Sequence, residues 1–187
     1  MDYKKPSDHL NPVNALDKTG VAKNNIERLT ATMSDVDKVM VHDKNGLLLN
    51  MRTEGGSRAD FQSALQNDST QNPFHAVRIR MENESGQDTG SYANATLEVT
   101  KGFNDDTGRY DQFEDARMRL NDIYVPENQR GNGVGGIMLD RVEELARDAG
   151  VREVYGTLEQ EASRQFFTDR GYQFRGAHNN ELYKTYY

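Results

Sequence analysis

Leu120-Asn121-Asp122-Ile123-Tyr124-Val125-Pro126-Glu127-Asn128-Gln129-Arg130-Gly131-Asn132-Gly133-Val134-Gly135-Gly136 is the stretch on which the fold turns. Arg117 to Val125 is a strand candidate. Pro126 stops it, glycines follow, and Met138, Val142, Leu145, Ala146 and Ala149 then recur at helical spacing along one face. Gly150 stands where a left-handed helix C-cap belongs. With a further strand at 151–158, the segment predicts a β-α-β unit whose strands are parallel and joined by a right-handed crossover. The glycine-rich turn then opens a helix. Unpaired N–H groups and the positive end of the helix dipole gather there, and glycine lets a polyanion approach the backbone. The physical reading of Gln129 to Gly136 is a phosphate or pyrophosphate cradle; the competing one is a turn whose glycines serve packing alone.

Working outward, a short helix and two more strands are expected after 158. Upstream, Phe74 to Met81 and Tyr92 to Thr100 alternate as half-buried strands do, joined through the polar tip 82–90 as an antiparallel hairpin. Val39-Met40-Val41 and Leu47-Leu48-Leu49 flank an Asn45-Gly46 turn signal, which predicts a strand or a hairpin. Phe61, Ala64 and Leu65 predict a short helix ending near Asn67. Gly102 to Glu114 reads as a polar, turn-rich connection. From Met1 to Asp35 the chain is polar, with one modest helix marked by Ile26, Leu29 and Met33.

Composition narrows the functions. The 187 residues carry 23 Lys+Arg against 30 Asp+Glu, a net charge of −7, and mean hydropathy is −0.90, so the core is confined to part of the chain. An acidic balance argues against a broad nucleic-acid footprint. The absence of cysteine removes disulfides, thiolate metal sites and any acyl-cysteine intermediate. His9, His42, His75 and His178 are scattered without ligand spacing, so no metal is expected. The first residues lack a signal-peptide pattern, and no apolar run approaches the ~20 residues of a membrane span; a cytoplasmic location is the default expectation.

Three kinds of phosphate-binding loop compete for the glycines. A P-loop needs Lys-Ser or Lys-Thr after them, and neither is present. The dinucleotide fingerprint is met literally by Gly131, Gly133 and Gly136. However, five residues separate the strand from Gly131, Glu159 lies 28 residues beyond it, and only one β-α-β unit follows. The third fits better. Residues 120–135 resemble motif A of the GNAT superfamily of N-acetyltransferases, whose [R/Q]-x-x-G-x-[G/A] is met by Arg130-Gly131-Asn132-Gly133-Val134-Gly135. Ala162-Ser163-Arg164-Gln165-Phe166-Phe167-Thr168-Asp169-Arg170-Gly171-Tyr172 is similar to the family's motif B, with Ser163 in the alanine slot.

The resemblance implies an α/β, GNAT-like mixed twisted sheet of six to seven strands with helices on both faces. It assigns an acetyltransferase domain to 36–187 and leaves the polar N-terminal extension at 1–35 outside. It implies acetyl-CoA as co-substrate, with no metal. The N–H groups of Gly131, Asn132, Gly133, Val134, Gly135 and Gly136, with Arg130, would hold its pyrophosphate. Ile123, Tyr124 and Val125 would pair with the pantetheine arm in a splay between the two parallel strands, the Val125 N–H would polarise the thioester carbonyl, and Gln160 matches a cofactor-contacting polar slot. The acceptor would be an amine on a small molecule or protein, attacking the thioester directly, with specificity set by loops such as 53–73 and 101–116. A homo-oligomer, or a protein partner held through the N-terminal extension, is a further expectation.

Departures fall in the catalytic slots. The usual motif B tyrosine is matched by Phe167, and a glutamate often used as base by Tyr155. Asp122, placed by alternation on one face with Leu120 and Tyr124, is the substitute base, against the alternative of a solvated or ion-paired aspartate. Glu159 ends the second parallel strand, where an acid also serves the helix dipole. Tyr155 and Tyr172 are candidate proton donors, against the alternative of core tyrosines. These departures keep a second function open: a non-catalytic structural or interaction protein that retains the fold and CoA binding.

Overall fold

The computed structural model describes residues 36–186. The N-terminal extension, its expected helix, His9 and Tyr187 lie outside the described residues. In chain order the elements are β1 (Val36–His42), β2 (Leu48–Gly55), α1 (Arg58–Gln66), β3 (Phe74–Glu82), β4 (Asp88–Asn104), β5 (Arg109–Tyr124), α2 (Val134–Asp148), β6 (Glu153–Thr157), α3 (Arg164–Asp169), β7 (Gln173–Arg175) and β8 (Glu181–Thr185). The strands form one mixed sheet in the order β1-β2-β3-β4-β5-β6-β8-β7. Only β5 and β6 run parallel, as the helix between them dictates.

The sheet therefore has eight strands, more than the six to seven expected. The first hairpin forms in full because Asp43 holds its turn. The carboxylate accepts from the N–H groups of Asn45 at 2.8 Å and Leu47 at 2.9 Å, and Gly46 takes φ 83°. A second difference lies at 102–114. Where a loop was expected, β4 runs on to Asn104 and β5 begins at Arg109, so only 105–108 turns. Lys101 and Phe113 are buried in this ribbon, but the ladder shifts register at Thr100/Lys101 and Gly102/Phe103, so no regular alternation of apolar residues announces it. The loops expected to set specificity, 53–73 and 101–116, are thus largely helix and ribbon.

The core lies on one face of the sheet. Leu49 and Met51 of β2, Val77, Ile79 and Met81 of β3, Leu97 and Val99 of β4, and Met118 and Leu120 of β5 are all buried. Both long helices pack there. The Phe61 ring of α1 lies 5.1 Å from the His75 ring of β3, and Arg141 of α2 donates to the Thr53 hydroxyl of β2 at 3.3 Å. Thr53 pairs with Ile79, and residues directly opposite share a face, so α1 and α2 share this layer. On the reverse face β2 to β5 present Asn50, Arg52, Arg78, Arg80, Asn94, Thr96, Arg117 and Arg119, and no described helix packs on them.

α2 carries the expected stripe, with Met138, Val142, Leu145, Ala146 and Ala149 all buried. Its end is a left-handed cap, in which Gly150 has φ 71° and the Val151 N–H reaches back to the Ala146 carbonyl at 3.0 Å.

Candidate functional site

The site begins where β5 parts from β6 while still paired with β4. Leu120 pairs with Ala95, but Asp122 pairs with Asn94, so Asn121 is an extra residue in the ladder. This β-bulge changes which side chains share a face. Ala95 is in the core and Asn94 on the reverse face, so Leu120 and Asp122 point oppositely. The alternation that placed them together is corrected, and Ile123 instead packs against the core. The pairing of β5 with β6 covers only Met118↔Val154, Arg119↔Tyr155 and Leu120↔Gly156. Beyond it, Asn121 to Tyr124 continue without a β6 partner.

The glycine loop follows from that free end. Arg130 Nε donates to the Val125 carbonyl at 2.9 Å, and Gln129 bridges to β4 by donating to the Thr89 carbonyl at 2.7 Å and accepting from the Ser91 hydroxyl at 2.9 Å. Gly131 and Gly133 take φ 80° and 81°, a region other residues enter only with strain. α2 then begins with no side-chain cap. The Ile137 N–H reaches the Gly133 carbonyl at 3.1 Å, and among the described residues no protein acceptor takes the N–H of any residue from 131 to 136. Six donors are thus left at the positive end of a 15-residue helix.

Two cations from distant parts of the chain border these donors. The β1–β2 turn docks on the loop: the Lys44 N–H donates to the Asn132 carbonyl at 2.8 Å, and Asn45 Nδ2 donates to Asn132 Oδ1 at 3.0 Å. An ideal Cβ on Gly133 would lie 3.6 Å from Lys44 Cβ, so the lysine stem starts at the cradle wall. The Arg170 guanidinium lies against Gly136 and fills the space a side chain there would need; it rests 5.0 Å from the Phe166 ring. Gly135, by contrast, has ordinary room beside Phe166 and Val125, both 3.6 Å from an added Cβ.

The candidate proton-transfer residues are spread over two faces. Asp122 is half-buried on the reverse face, with Oδ2 accepting from Asn94 Nδ2 at 3.0 Å. Tyr155 is on the same face, where its hydroxyl donates to Glu98 Oε2 and its ring lies 4.4 Å from the Arg117 guanidinium and 5.4 Å from that of Arg119. Burial, then the Glu98 carboxylate, pushes the Tyr155 hydroxyl up. Tyr172 lies on the helical face. Burial pushes its hydroxyl far up, and the Glu143 and Tyr186 side chains beside it add to this. Glu143 is two turns along α2 from Gly136, so Tyr172 is not gathered with the others. Glu159 is exposed just past β6, and Gln160 is exposed at the start of the 3-10 turn Glu161–Ser163.

Residues 102–172 match the profile of the Acetyltransferase (GNAT) family. Over this segment the chain is similar to the GNAT family. Among solved structures, the GNAT domain of S. lividans PAT is similar at 13% identity, covering 80% of this chain and 97% of that one with a TM-score of 0.47. An acetyltransferase from Bacillus cereus is similar at 17% identity, covering 68% and 85% with a TM-score of 0.44. No curated protein matches the sequence.

The GNAT motifs occupy the free end of β5, the uncapped start of α2 and α3. In the motif B tyrosine slot, Phe167 is buried, edge-on to Phe166 at 5.0 Å and to Tyr172 at 5.5 Å, so this GNAT-like segment places a hydrocarbon ring where the family usually has a hydroxyl. Lys44 lies outside the matched residues, and sequence reasoning missed it. The Asn45-Gly46 signal located its turn, but nothing local says where that turn docks. Arg170 lay in plain view within motif B, and only the folded chain shows it over Gly136. No helix of the described residues is long and apolar enough to cross a membrane, and no group of three or more His, Asp or Glu among them is arranged to hold a metal ion.

Proposed function

We propose that this protein transfers an acetyl group from acetyl-CoA to an amine by direct attack on the thioester, performed by the unit 36–187. The observation that carries this reading is the set of six N–H groups at residues 131–136 that have no acceptor among the described residues, bordered by Lys44 and Arg170. An array of donors at a helix start without an acceptor of its own suits a pyrophosphate. Gly131, Asn132, Gly133, Val134, Gly135, Gly136 and Arg130 would hold that group, and Ile123, Tyr124 and Val125 the pantetheine arm. Gln160 would add a polar contact.

Acetyl-CoA supplies an activated acyl carbon with a thiolate leaving group. The chain supplies position and proton handling. The Val125 N–H would donate to the thioester oxygen as charge develops on it. Asp122 would accept a proton from the ammonium of the acceptor, so that its nitrogen lone pair can bond to the acyl carbon as the C–S bond breaks. The departing sulfur takes its proton from solvent, since Phe167 has none to give and the Tyr155 hydroxyl is committed to Glu98. Glu159, at the exposed end of β6, is a second site for a proton relay.

Those same two residues support the rival reading, a GNAT-like binding or interaction protein without turnover. Calorimetry with acetyl-CoA, followed by an assay of CoA release over an amine panel, separates the two. The absence of cysteine gives the thiol assay no protein background. Micromolar binding with thiol release supports the enzyme, binding without release supports the rival, and no binding at millimolar acetyl-CoA sinks both. Gly135→Glu should abolish binding by placing a carboxylate among the donors.

A further inference from the structure

Four residues form a row across the reverse face: Glu54 pairs with Arg78, Arg78 with Asn94, and Asn94 with Asp122. Three of the four, Glu54, Arg78 and Asn94, line a shallow pocket of about 350 Å³ together with Gly56, Ala76 and Asn121, and Asp122 follows Asn121 in the chain and stands opposite Asn94. The row's two ends are unequal. Glu54 is satisfied, with Arg52 at 2.6 Å and Arg80 at 2.8 Å. Asp122 is not: Asn94 takes one carboxylate oxygen, and Oδ1 is buried without a hydrogen-bond partner. A buried carboxylate oxygen left unpaired is costly, so the site calls for a donor that no described residue provides.

The cation of the row is equally unpaired. Arg52, Arg80, Arg117 and Arg119 on this face all have carboxylates within 4.0 Å. Among the described residues Arg78 has none. Its guanidinium lies 5.2 Å from the Tyr92 ring, whose own neighbour is Tyr124 at 5.7 Å. Arg78 therefore leans toward the free end of β5, where the acyl group would be delivered. Arg78 and Asp122 stand two strands apart, roughly 10 Å between Cα atoms, and the arginine stem shortens the gap between their charges.

From this juxtaposition we infer that the acetyl acceptor is a small zwitterion, a primary amine carrying its own carboxylate or phosphate. Its ammonium docks on the Asp122 carboxylate, which turns to bring the buried Oδ1 to it, and its anion takes the Arg78 guanidinium in a bidentate pair. The inference rests on the acetyl-transfer reading and names its substrate class. A polyamine fits poorly: the row has one free carboxylate oxygen, and the second ammonium would meet Arg78. Asp122 both orients the ammonium and takes its proton, so holding the anion at Arg78 sets the nitrogen before the thioester.

The test uses matched pairs: phosphoethanolamine against ethanolamine, and β-alanine against propylamine, with putrescine as the dication. Thiol release should give kcat/KM about tenfold or more higher for the anionic member of at least one pair, the worth of one charge-assisted bidentate contact. The pair preferred separates a phosphate from a carboxylate. Arg78→Gln should bring that ratio to within about threefold of one, while Arg78→Lys, which keeps the charge, restores part of it. Equal rates within both pairs, a preference for putrescine, or an unchanged ratio in Arg78→Gln would overturn the assignment. If no amine releases thiol, the transfer reading fails separately. The pocket is then judged by titrating phosphoethanolamine, β-alanine and their neutral mates while following the Asn94 and Asn121 side-chain amide resonances. Shifts with an anionic amine alone, lost in Arg78→Gln, uphold the pocket; no shift, or equal shifts within each pair, overturns it.

Discussion

Gly156→Ala should pull apart the short parallel contact on which the site depends. A Cβ at this position would lie 2.6 Å from the Leu120 carbonyl oxygen, which is main chain. Carbon and oxygen meet comfortably at about 3.3 Å or more, so the strands must separate by roughly 0.7 Å or twist. β5 and β6 share three residue pairs, and Leu120↔Gly156 is the last before the split. Overpacking at a tight contact costs about 1–3 kcal/mol, and a weakened ladder bond adds about 1 kcal/mol. Reduced freedom of the unfolded chain offsets about 0.4–1 kcal/mol. The net loss is about 1–3.6 kcal/mol with a midpoint near 2.3 kcal/mol, and that midpoint lowers Tm by roughly 5–9 °C in a domain of this size. Thermal unfolding followed by circular dichroism measures it. Gly56→Ala is the matched control, because its Cβ would sit 3.9 Å from the Ala76 carbonyl with no positive φ; its Tm should stay within about 3 °C of the parent. A Gly156→Ala protein that melts within that same margin would refute the reasoning.

Other outcomes follow from single contacts. Lys44→Ala should weaken acetyl-CoA binding about two- to fivefold, as expected for one solvent-exposed charge contact, and flatten its salt dependence; the main-chain bond that docks the turn is retained, so Tm should not move, and unchanged affinity at low salt would remove Lys44 from the cradle. Lys101 is 2% exposed, and its ammonium donates to the Leu65 and Asn67 carbonyls at 3.0 and 2.8 Å. Lys101→Met strips both from the end of α1 and should cost about 1–3 kcal/mol in urea unfolding. At Glu153, burial pushes the carboxyl up, but the Arg175 and Arg117 guanidinium groups outweigh it and hold it below the ordinary 4.5. A depressed carboxylate contributes stability above that value and loses it as pH falls through its folded pKa. Glu153→Gln should therefore melt lower than the parent at pH 7, with the gap narrowing below pH 4.5; an equal gap at pH 7 and pH 3.5 would contradict this.

What the sequence made legible is what local rules control. The apolar stripe of α2, Gly150 as its cap and the glycines at its start all depend on neighbours within a few residues, and they announced the β-α-β unit. The face of Asp122 was not legible, because the bulge at Asn121 is defined by which β4 residues it opposes. Alternation counts residues along one strand and cannot see an extra one inserted against another. The ribbon 101–116 was read as a loop for a related reason: its ladder shifts register twice, so the buried Phe113 and Ala116 fall three residues apart and out of any strand period. Tyr155 was flagged by its slot, but the partner that takes its hydroxyl, Glu98, lies 57 residues earlier. The pairing of Arg78 with an unpaired carboxylate emerges only when four strands are set side by side.

The docking of the first hairpin on the glycine loop bears on how the protein is made. Asn45 and Asn132, which bond across that contact, are 87 residues apart. At synthesis rates of about 5–20 residues per second, the hairpin emerges roughly 4–17 s before the loop it steadies. In that interval β1 and β2 can pair with each other and with β3, but the wall of the cradle stands without its floor. Assembly of the proposed cradle is therefore a late event, completed only when the first hairpin meets the turn before α2. A nascent chain stalled before Gly131 would hold a folded sheet edge and no glycine loop to dock on it.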